Sequence, residues 1–128
     1  MKILLDTCTA LWFFGEAEKL SKPAMEAISD GANEVILHQV SVLEIQIKYL
    51  TGKLSLRQKP GLFVPQAVKE LDLVYERLSD AAIYFLEKLP SLHRDPFDRL
   101  LISHALVEGW TIATPDPLIN QYPVPVLW

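Results

Sequence analysis

The sequence has very little cysteine and no long apolar run, and both shortages narrow the class of protein it encodes. One cysteine, Cys8, occurs in 128 residues, so no internal disulfide can form and a reducing compartment is expected. No apolar stretch approaches the roughly 18 residues that a membrane-spanning helix needs, and no early segment has the pattern of a secretion signal. We therefore expect a cytoplasmic protein that is neither exported nor bound to a membrane.

Positive charge is also scarce. Lysine and arginine total 12 against 16 acidic residues, which leaves a net charge of −4 and excludes a broad basic face that binds polyanions through counterion release. Any contact with nucleic acid is therefore expected to be local. Half of the residues are hydrophobic, which is enough at this length for one core, so we expect a single domain over residues 1–128.

Short β-like runs alternate with helical segments, the order typical of an α/β domain with a mostly parallel sheet. The β-like runs are residues 2–6, 35–40, 72–76, 110–114 and 124–127. Helical spacing or start signals predict helices over residues 7–15, 21–30, 42–50, 62–71, 79–89 and 96–108. The sequence thus predicts a central sheet of about five strands flanked by helices, with its longest loop at residues 53–61.

Four acids, Asp6, Glu44, Asp98 and Asp116, each follow an apolar or proline-marked segment near the predicted start of a helix. In a parallel sheet, ligands bind beyond the carboxyl ends of the strands. Three of the acids are expected at such ends, whereas Asp98 reaches the same edge only through the helix over residues 96–108. We therefore expect the four side chains to share one site.

Clustered carboxylates repel one another, and a divalent cation relieves that repulsion. Oxygen ligands favour magnesium or manganese. The lone cysteine and the three histidines show no zinc-binding spacing. A magnesium or manganese site is therefore the expected occupant of the shared edge.

Helix capping also explains each acid taken alone, because carboxylates are favoured at helix N-termini. Ser41 and Glu44 have the spacing of a capping box, and Asp95 followed by Pro96 has the pattern of a cap with proline at the first helical position. For any single acid, capping is the commoner role. Capping does not require acids after three separate strands to share one edge, however, whereas a metal site does.

Four ordered motifs resemble those of PIN-domain ribonucleases, in particular the VapC-type toxins of bacterial toxin-antitoxin pairs. The motifs are Leu4-Leu5-Asp6-Thr7, the block from Ser41 to Lys48, the block from His93 to Ile102, and Thr114-Pro115-Asp116. Together they cover nearly the whole chain in order and spacing. A single Leu-Leu-Asp-Thr is a weak signal, but four ordered motifs are a specific one.

The resemblance implies a PIN-like α/β domain that acts as a metal-dependent endoribonuclease. Asp6, Glu44 and Asp98 match the three principal acids of the family and Asp116 matches a fourth, so all four are expected to be catalytic and to hold one or two Mg²⁺ or Mn²⁺ ions. Asp95 competes with Asp98 for the third position, and the register of the following helix favours Asp98. The expected supporting residues are Thr7, Ser41, Thr114 and Asp95.

The resemblance also implies partners. RNA is the expected substrate, homodimers are expected, and a small antitoxin protein is expected to block the groove. Lys48, Arg94 and Arg99 are candidates for contact with RNA phosphates. For Lys48, an ion pair with Glu44 one helical turn earlier is an equal alternative.

Two other functions are alternatives to the nuclease. A non-catalytic PIN-like binding module would use the acids only as helix caps. A phosphatase of the haloacid-dehalogenase type also begins with an apolar strand and an aspartate, but it has a second aspartate two positions later, where this chain has Cys8. We interpret Cys8 instead as a buried apolar side chain without a catalytic role.

Overall fold

A five-stranded parallel sheet forms the centre of the molecule. In the computed structural model, which describes residues 1–128, the strands are β1 (Lys2–Leu5), β2 (Glu34–His38), β3 (Val74–Glu76), β4 (Thr111–Ala113) and β5 (Val126–Leu127). The helices are α1 (Thr7–Gly15), α2 (Lys22–Ser29), α3 (Gln39–Leu50), α4 (Pro60–Glu70), α5 (Asp80–Phe85) and α6 (Pro96–Glu108). Short 3-10 turns lie at Ala17–Lys19, Leu86–Lys88 and Ile119–Gln121. No helix is long and apolar enough to cross a bilayer.

The strand order is β3-β2-β1-β4-β5, and every neighbouring pair is parallel. The chain runs outward from β1 to β2 and β3, then returns to the other side of β1 to add β4 and β5. The direction of winding therefore changes between β1 and β4, which is the position where open parallel sheets form a crevice beyond their carboxyl ends. The predicted α/β architecture with a mostly parallel sheet is confirmed.

The strands are buried on both faces, because successive side chains point to opposite sides of a sheet. On β1, Ile3 and Leu5 pack into one apolar cluster and Leu4 packs into the other. All three side chains have no exposed surface. Helix α6 covers the Leu4 side through Leu101 and Ile102. Burial on both faces explains why the sequence of β1 is a continuous apolar run. It also fixes the position of the strand that leads into the crevice.

Helices α1 and α6 have the predicted bounds, whereas α3 begins three residues before the predicted start at Val42. Its N-cap is His38, whose Nδ1 accepts a hydrogen bond from the Val40 amide at 3.0 Å. The predicted capping box of Ser41 and Glu44 is therefore wrong, since both residues lie inside the helix. Buried His38 takes the capping position because it ends a strand that feeds directly into α3.

Two other boundaries differ from prediction for local reasons. Helix α3 ends at Leu50 and α4 begins at Pro60, so the loop covers residues 51–59 rather than 53–61. Proline is tolerated at a first helical position because its missing amide hydrogen has no partner there anyway. Asp116 begins a turn rather than an α-helix, and its Oδ1 accepts from the Leu118 amide at 2.9 Å.

Candidate metal centre

Asp6, Glu44, Asp98 and Asp116 line one cavity of about 510 Å³. Each side chain comes from a different element: Asp6 follows β1, Glu44 lies on α3, Asp98 lies in the first turn of α6, and Asp116 follows β4. The cavity lies where the winding direction of the sheet changes. The structure thus brings the four acids to the edge where their positions in the sequence predicted a shared site.

Asp6 is held in place by two donors. Its Oδ1 accepts from the Thr9 amide at 2.7 Å, which makes it the N-cap of α1, and its Oδ2 accepts from the Thr114 hydroxyl. The residue is 4% exposed. Burial raises the pKa of the Asp6 carboxyl above its usual range, although the bonds from Thr114 and Thr9 act in the opposite direction. Capping and a place in the site therefore coexist in this residue.

Glu44 has a partner for each carboxylate oxygen. The Thr7 hydroxyl donates to Oε1 at 2.7 Å and also lies 3.0 Å from Ser41 Oγ. Lys48 Nζ lies 2.7 Å from Oε2, and the bond with Glu44 raises the pKa of the lysine. Of the two predicted roles for Lys48, the ion pair is present. Of the predicted supporting residues, Thr7 therefore contacts Glu44 directly, and Ser41 contacts Thr7.

Asp98 lies in the first turn of α6, whose N-cap is Asp95. Oδ1 of Asp95 accepts from the Phe97 amide at 2.8 Å and from the Asp98 amide at 3.1 Å. Burial raises the pKa of Asp98 to about 7, the charge of Asp95 adds to the rise, and His93 opposes it. The local pattern Asp95-Pro96 therefore predicted the cap correctly. Asp95 and Asp98 both line the cavity, but Oδ1 of Asp95 is occupied by capping.

His93 is the residue that the sequence reasoning passed over. Its Nε2 lies 2.8 Å from Asp98 Oδ2 and 3.2 Å from Asp116 Oδ2, and these three atoms lie within 4.8 Å of one another. No other group of histidine, cysteine or acidic side chains is as tightly gathered. Its position in the same motif as Asp98 was the available signal, but a search for zinc-type spacing gave it no weight.

The donor set suits a divalent cation. The four acids supply carboxylate oxygens, which magnesium and manganese prefer. The raised pKa values of Asp6 and Asp98 indicate negative charge that the protein alone leaves poorly compensated. A cation in the cavity would stabilise both ionised carboxylates.

The remaining predicted residues lie around the site. Arg99 is partly buried, and its Nη1 donates to the Pro90 carbonyl at 3.0 Å and to the Tyr122 hydroxyl at 3.2 Å. Arg94 is exposed. Cys8 lines the cavity and is exposed, so its interpretation as a buried apolar side chain is wrong. Partial desolvation, together with the charge of Asp6, raises the pKa of its thiol to about 11, which keeps it protonated and a poor nucleophile.

A sequence model described as the PIN domain matches residues 3–124. The chain belongs to the PIN domain family. Ribonuclease VapC22 of Mycobacterium tuberculosis is similar to this PIN domain, with 29% identity over 127 residues that cover 97% of this chain and 95% of that protein. The resemblance predicted from the four motifs is confirmed, and a haloacid-dehalogenase-type phosphatase is no longer an alternative.

Two solved structures have the same fold. A chain of the Rickettsia felis VapBC2 structure, bound to a DNA fragment from their promoter, aligns with a TM-score of 0.74 and 16% identity over 98% of this PIN domain and 97% of that chain. A chain of VapBC-1 from nontypeable Haemophilus influenzae aligns with a TM-score of 0.68 and 14% identity over 98% and 96% of the two chains. At these identities the likeness shows the fold of the domain.

Proposed function

We propose that this PIN domain is a Mg²⁺- or Mn²⁺-dependent endoribonuclease that hydrolyses phosphodiester bonds in RNA. The observation that carries the proposal is the convergence of four carboxylates from four elements on one cavity in a member of this family. Asp6, Glu44, Asp98 and Asp116 would hold one or two ions. The similarity to a protein named as a ribonuclease supports RNA as the substrate.

The chain's own residues would prepare the site before substrate arrives. A divalent ion supplies a Lewis acid for the scissile phosphate and lowers the pKa of an attacking water. The Thr114 hydroxyl and the Thr9 amide orient Asp6, and Thr7 orients Glu44. Such fixed hydrogen bonds hold metal-binding carboxylates in a productive direction.

Three basic residues are proposed to contact RNA phosphates. The Lys48 side chain is 45% exposed despite its pairing with Glu44, and an ammonium has three donors, so one pairing leaves others for substrate. Arg94 is exposed next to His93 in sequence. Arg99 uses Nη1 within the protein, which leaves the other guanidinium nitrogens for phosphate. Contacts of this kind are local, as the net charge of −4 requires.

We further propose that the enzyme is the toxin of a toxin-antitoxin pair. Residues 1–128 would form one domain that acts in the cytoplasm, assembles as a homodimer and is blocked by a small antitoxin protein. Support comes from the similarity to the VapC22 ribonuclease and from neighbours whose structures are VapBC complexes. Expression of the chain with and without the adjacent reading frame would test toxicity and its neutralisation.

Substitution of the acids tests the nuclease directly. Purified protein free of antitoxin should cut single-stranded RNA when Mg²⁺ or Mn²⁺ is added. Asp6→Asn and Asp98→Asn should keep the wild-type circular dichroism spectrum and lower the cleavage rate by about 100-fold or more, since each removes one charged ligand from the proposed metal site. Gel-based rates on a defined RNA measure the effect.

Asp72→Asn is the matched control. Asp72 is exposed, precedes β3 at the opposite edge of the sheet, and has a left-handed φ of 53° that asparagine tolerates. This variant should cut like wild type. Equal cleavage by all four proteins would mean that a contaminating nuclease is responsible. A folded protein that neither binds Mn²⁺ in calorimetry nor cuts RNA would instead support the non-catalytic binding module, which uses the acids only as helix caps.

A further inference from the structure

We propose that His93 is a positioning residue of the metal centre rather than a ligand, and that its Nε2–H holds the Asp98 and Asp116 carboxylates in register. The inference deepens the proposed function, on which its relevance to RNA cleavage rests. The metal-binding step that it describes can be measured without RNA.

The hydrogen bonds around the imidazole determine which nitrogen carries the proton. The Asp95 amide lies 3.3 Å from His93 Nδ1. A backbone amide only donates, so Nδ1 must offer its lone pair and the ring hydrogen must be on Nε2. From there it is directed at Asp116 Oδ2, 3.2 Å away, and Asp98 Oδ2 lies in close polar contact with the same nitrogen at 2.8 Å. The ring therefore bridges an acid of α6 and an acid that follows β4.

Direct ligation through Nε2 conflicts with this arrangement. A nitrogen that binds a metal must present its lone pair, so the proton would have to move to Nδ1. Nδ1 faces the Asp95 amide, so the two N–H groups would then point at each other with no acceptor between them. Donation from Nε2 keeps every hydrogen bond intact, and each carboxylate oxygen retains a second lone pair for an ion.

Among the four acids proposed to hold the metal, Asp98 is the one whose side chain depends on a single partner, His93. Asp6 is oriented by Thr9 and Thr114, and Glu44 by Thr7 and Lys48. Asp116 Oδ1 accepts from the Leu118 amide. The Asp98 side chain has one polar contact within the protein, the one with His93. Without the imidazole, this carboxylate would be free to rotate.

His93 is itself held by a buried hydroxyl. The Tyr122 side chain is 3% exposed, and its Oη accepts from the His93 amide at 2.9 Å and from the Leu92 amide at 3.2 Å. The same hydroxyl donates to the Pro90 carbonyl at 2.8 Å. The segment from Pro90 to His93 is thereby attached to the core, which keeps the imidazole facing the two carboxylates.

Manganese binding by three proteins tests the inference. His93→Leu removes the donor, whereas the side-chain amide of His93→Gln can still donate from near the position of Nε2. Loss of an outer hydrogen-bond partner weakens metal affinity by about 10- to 100-fold, so His93→Leu should bind Mn²⁺ that much more weakly in calorimetry. His93→Gln should remain close to wild type. Wild-type affinity in His93→Leu would overturn the proposal.

Spectroscopy of bound Mn²⁺ separates positioning from ligation. Electron spin-echo measurements detect a nitrogen that is coordinated to the ion, and wild-type protein should show none. A coordinated imidazole nitrogen that disappears in His93→Gln would overturn the proposal in favour of ligation. This result does not depend on His93→Leu folding well, because it uses wild type and the conservative variant.

The two proposals fail in different ways. If wild-type protein binds Mn²⁺ without a nitrogen ligand but cuts no RNA, the nuclease proposal fails and the role of His93 stands. If wild type cuts RNA while His93→Leu binds Mn²⁺ as wild type does, the role of His93 fails and the nuclease proposal stands. Asp72→Asn again serves as the control variant.

Discussion

At the scale of single residues, the site is built from side chains that serve two purposes. Asp6 caps α1 with Oδ1 and faces the cavity. Asp95 caps α6 and thereby fixes the first turn of that helix, in which Asp98 lies. Capping was predictable because it depends on neighbours in sequence. The contacts of Thr7 with Glu44 and of His93 with Asp116 join residues far apart in the chain, so no local pattern reveals them.

The cavity carboxylates should cost stability in the absence of metal. In the folded protein the pKa of Asp98 is raised to about 7, whereas in the unfolded chain this carboxyl has a pKa near its ordinary value of 3.8. Protons therefore bind more tightly to the folded state, and the stability contributed by the neutral form is lost as pH rises through 7. At pH 8 the folded protein bears the full cost of the buried charge.

We therefore expect Asp98→Asn to stabilise the metal-free protein at pH 8. A raised pKa corresponds to about 1.4 kcal/mol per unit, and because the side chain is 17% exposed we expect a smaller gain, on the order of 2 kcal/mol. Urea unfolding in a chelator at pH 8 and pH 4 measures it. The gain should be much smaller at pH 4. An equal gain at both pH values would show that the carboxylate charge is not its cause.

At the scale of elements, the sequence predicted α1 and α6 well and α3 less well. Proline and aspartate mark the start of α6, and glycine with a left-handed φ follows its end at Gly109. The start of α3 was missed because its cap is His38, which capping preferences do not rank highly. His38 can serve as the cap because it is buried beside α6, and that burial depends on the tertiary structure.

The His38 cap is part of a buried pair that joins α3 to α6. His38 Nε2 lies 2.6 Å from His104 Nδ1, and His104 packs on Trp110 with a ring separation of 4.7 Å. The Val40 amide donates to His38 Nδ1, so the proton between the histidines belongs to Nε2 of His38. His104 Nε2 lies 3.9 Å from Glu108 Oε1. Both imidazoles are neutral in this arrangement.

This pair should make the protein sensitive to acid. Burial and the neighbouring His104 lower the pKa of His38 from 6.5 to about 4, and burial lowers that of His104, which Glu108 and Glu76 partly oppose. The unfolded chain therefore binds protons first as pH falls, and stability is lost between pH 6.5 and pH 4. His38 alone should contribute a loss on the order of 3 kcal/mol.

His38→Asn provides the comparison. Asparagine can still cap α3, but it does not titrate, so the variant should lose less stability than wild type between pH 6.5 and pH 4 in urea unfolding. The raised pKa values of Asp6 and Asp98 have the opposite effect, because they increase stability as pH falls. Both acids are present in wild type and in the variant, so their contribution cancels in the difference between the two proteins. Parallel pH profiles for the two proteins would rule out the histidine pair as the acid-sensitive element.

At the scale of the whole molecule, the position of the site follows from topology. The alternating β and helical segments predicted the parallel sheet, and the acids that follow predicted strands marked its carboxyl edge. The strand order, which places β4 beside β1, is set by packing on both faces and could not be read from local patterns. That order brings Asp6 and Asp116 together although more than a hundred positions separate them.

The central claim is that this PIN domain cuts RNA with a metal ion held by the four carboxylates. The most direct measurement follows the cleavage rate of a defined single-stranded RNA during a Mn²⁺ titration, alongside calorimetric Mn²⁺ binding to the same preparation. The rate should be zero in chelator, rise with the fraction of protein that has bound Mn²⁺, and saturate with it. Cleavage that persists in chelator, or metal binding that saturates without any cleavage, would contradict the account.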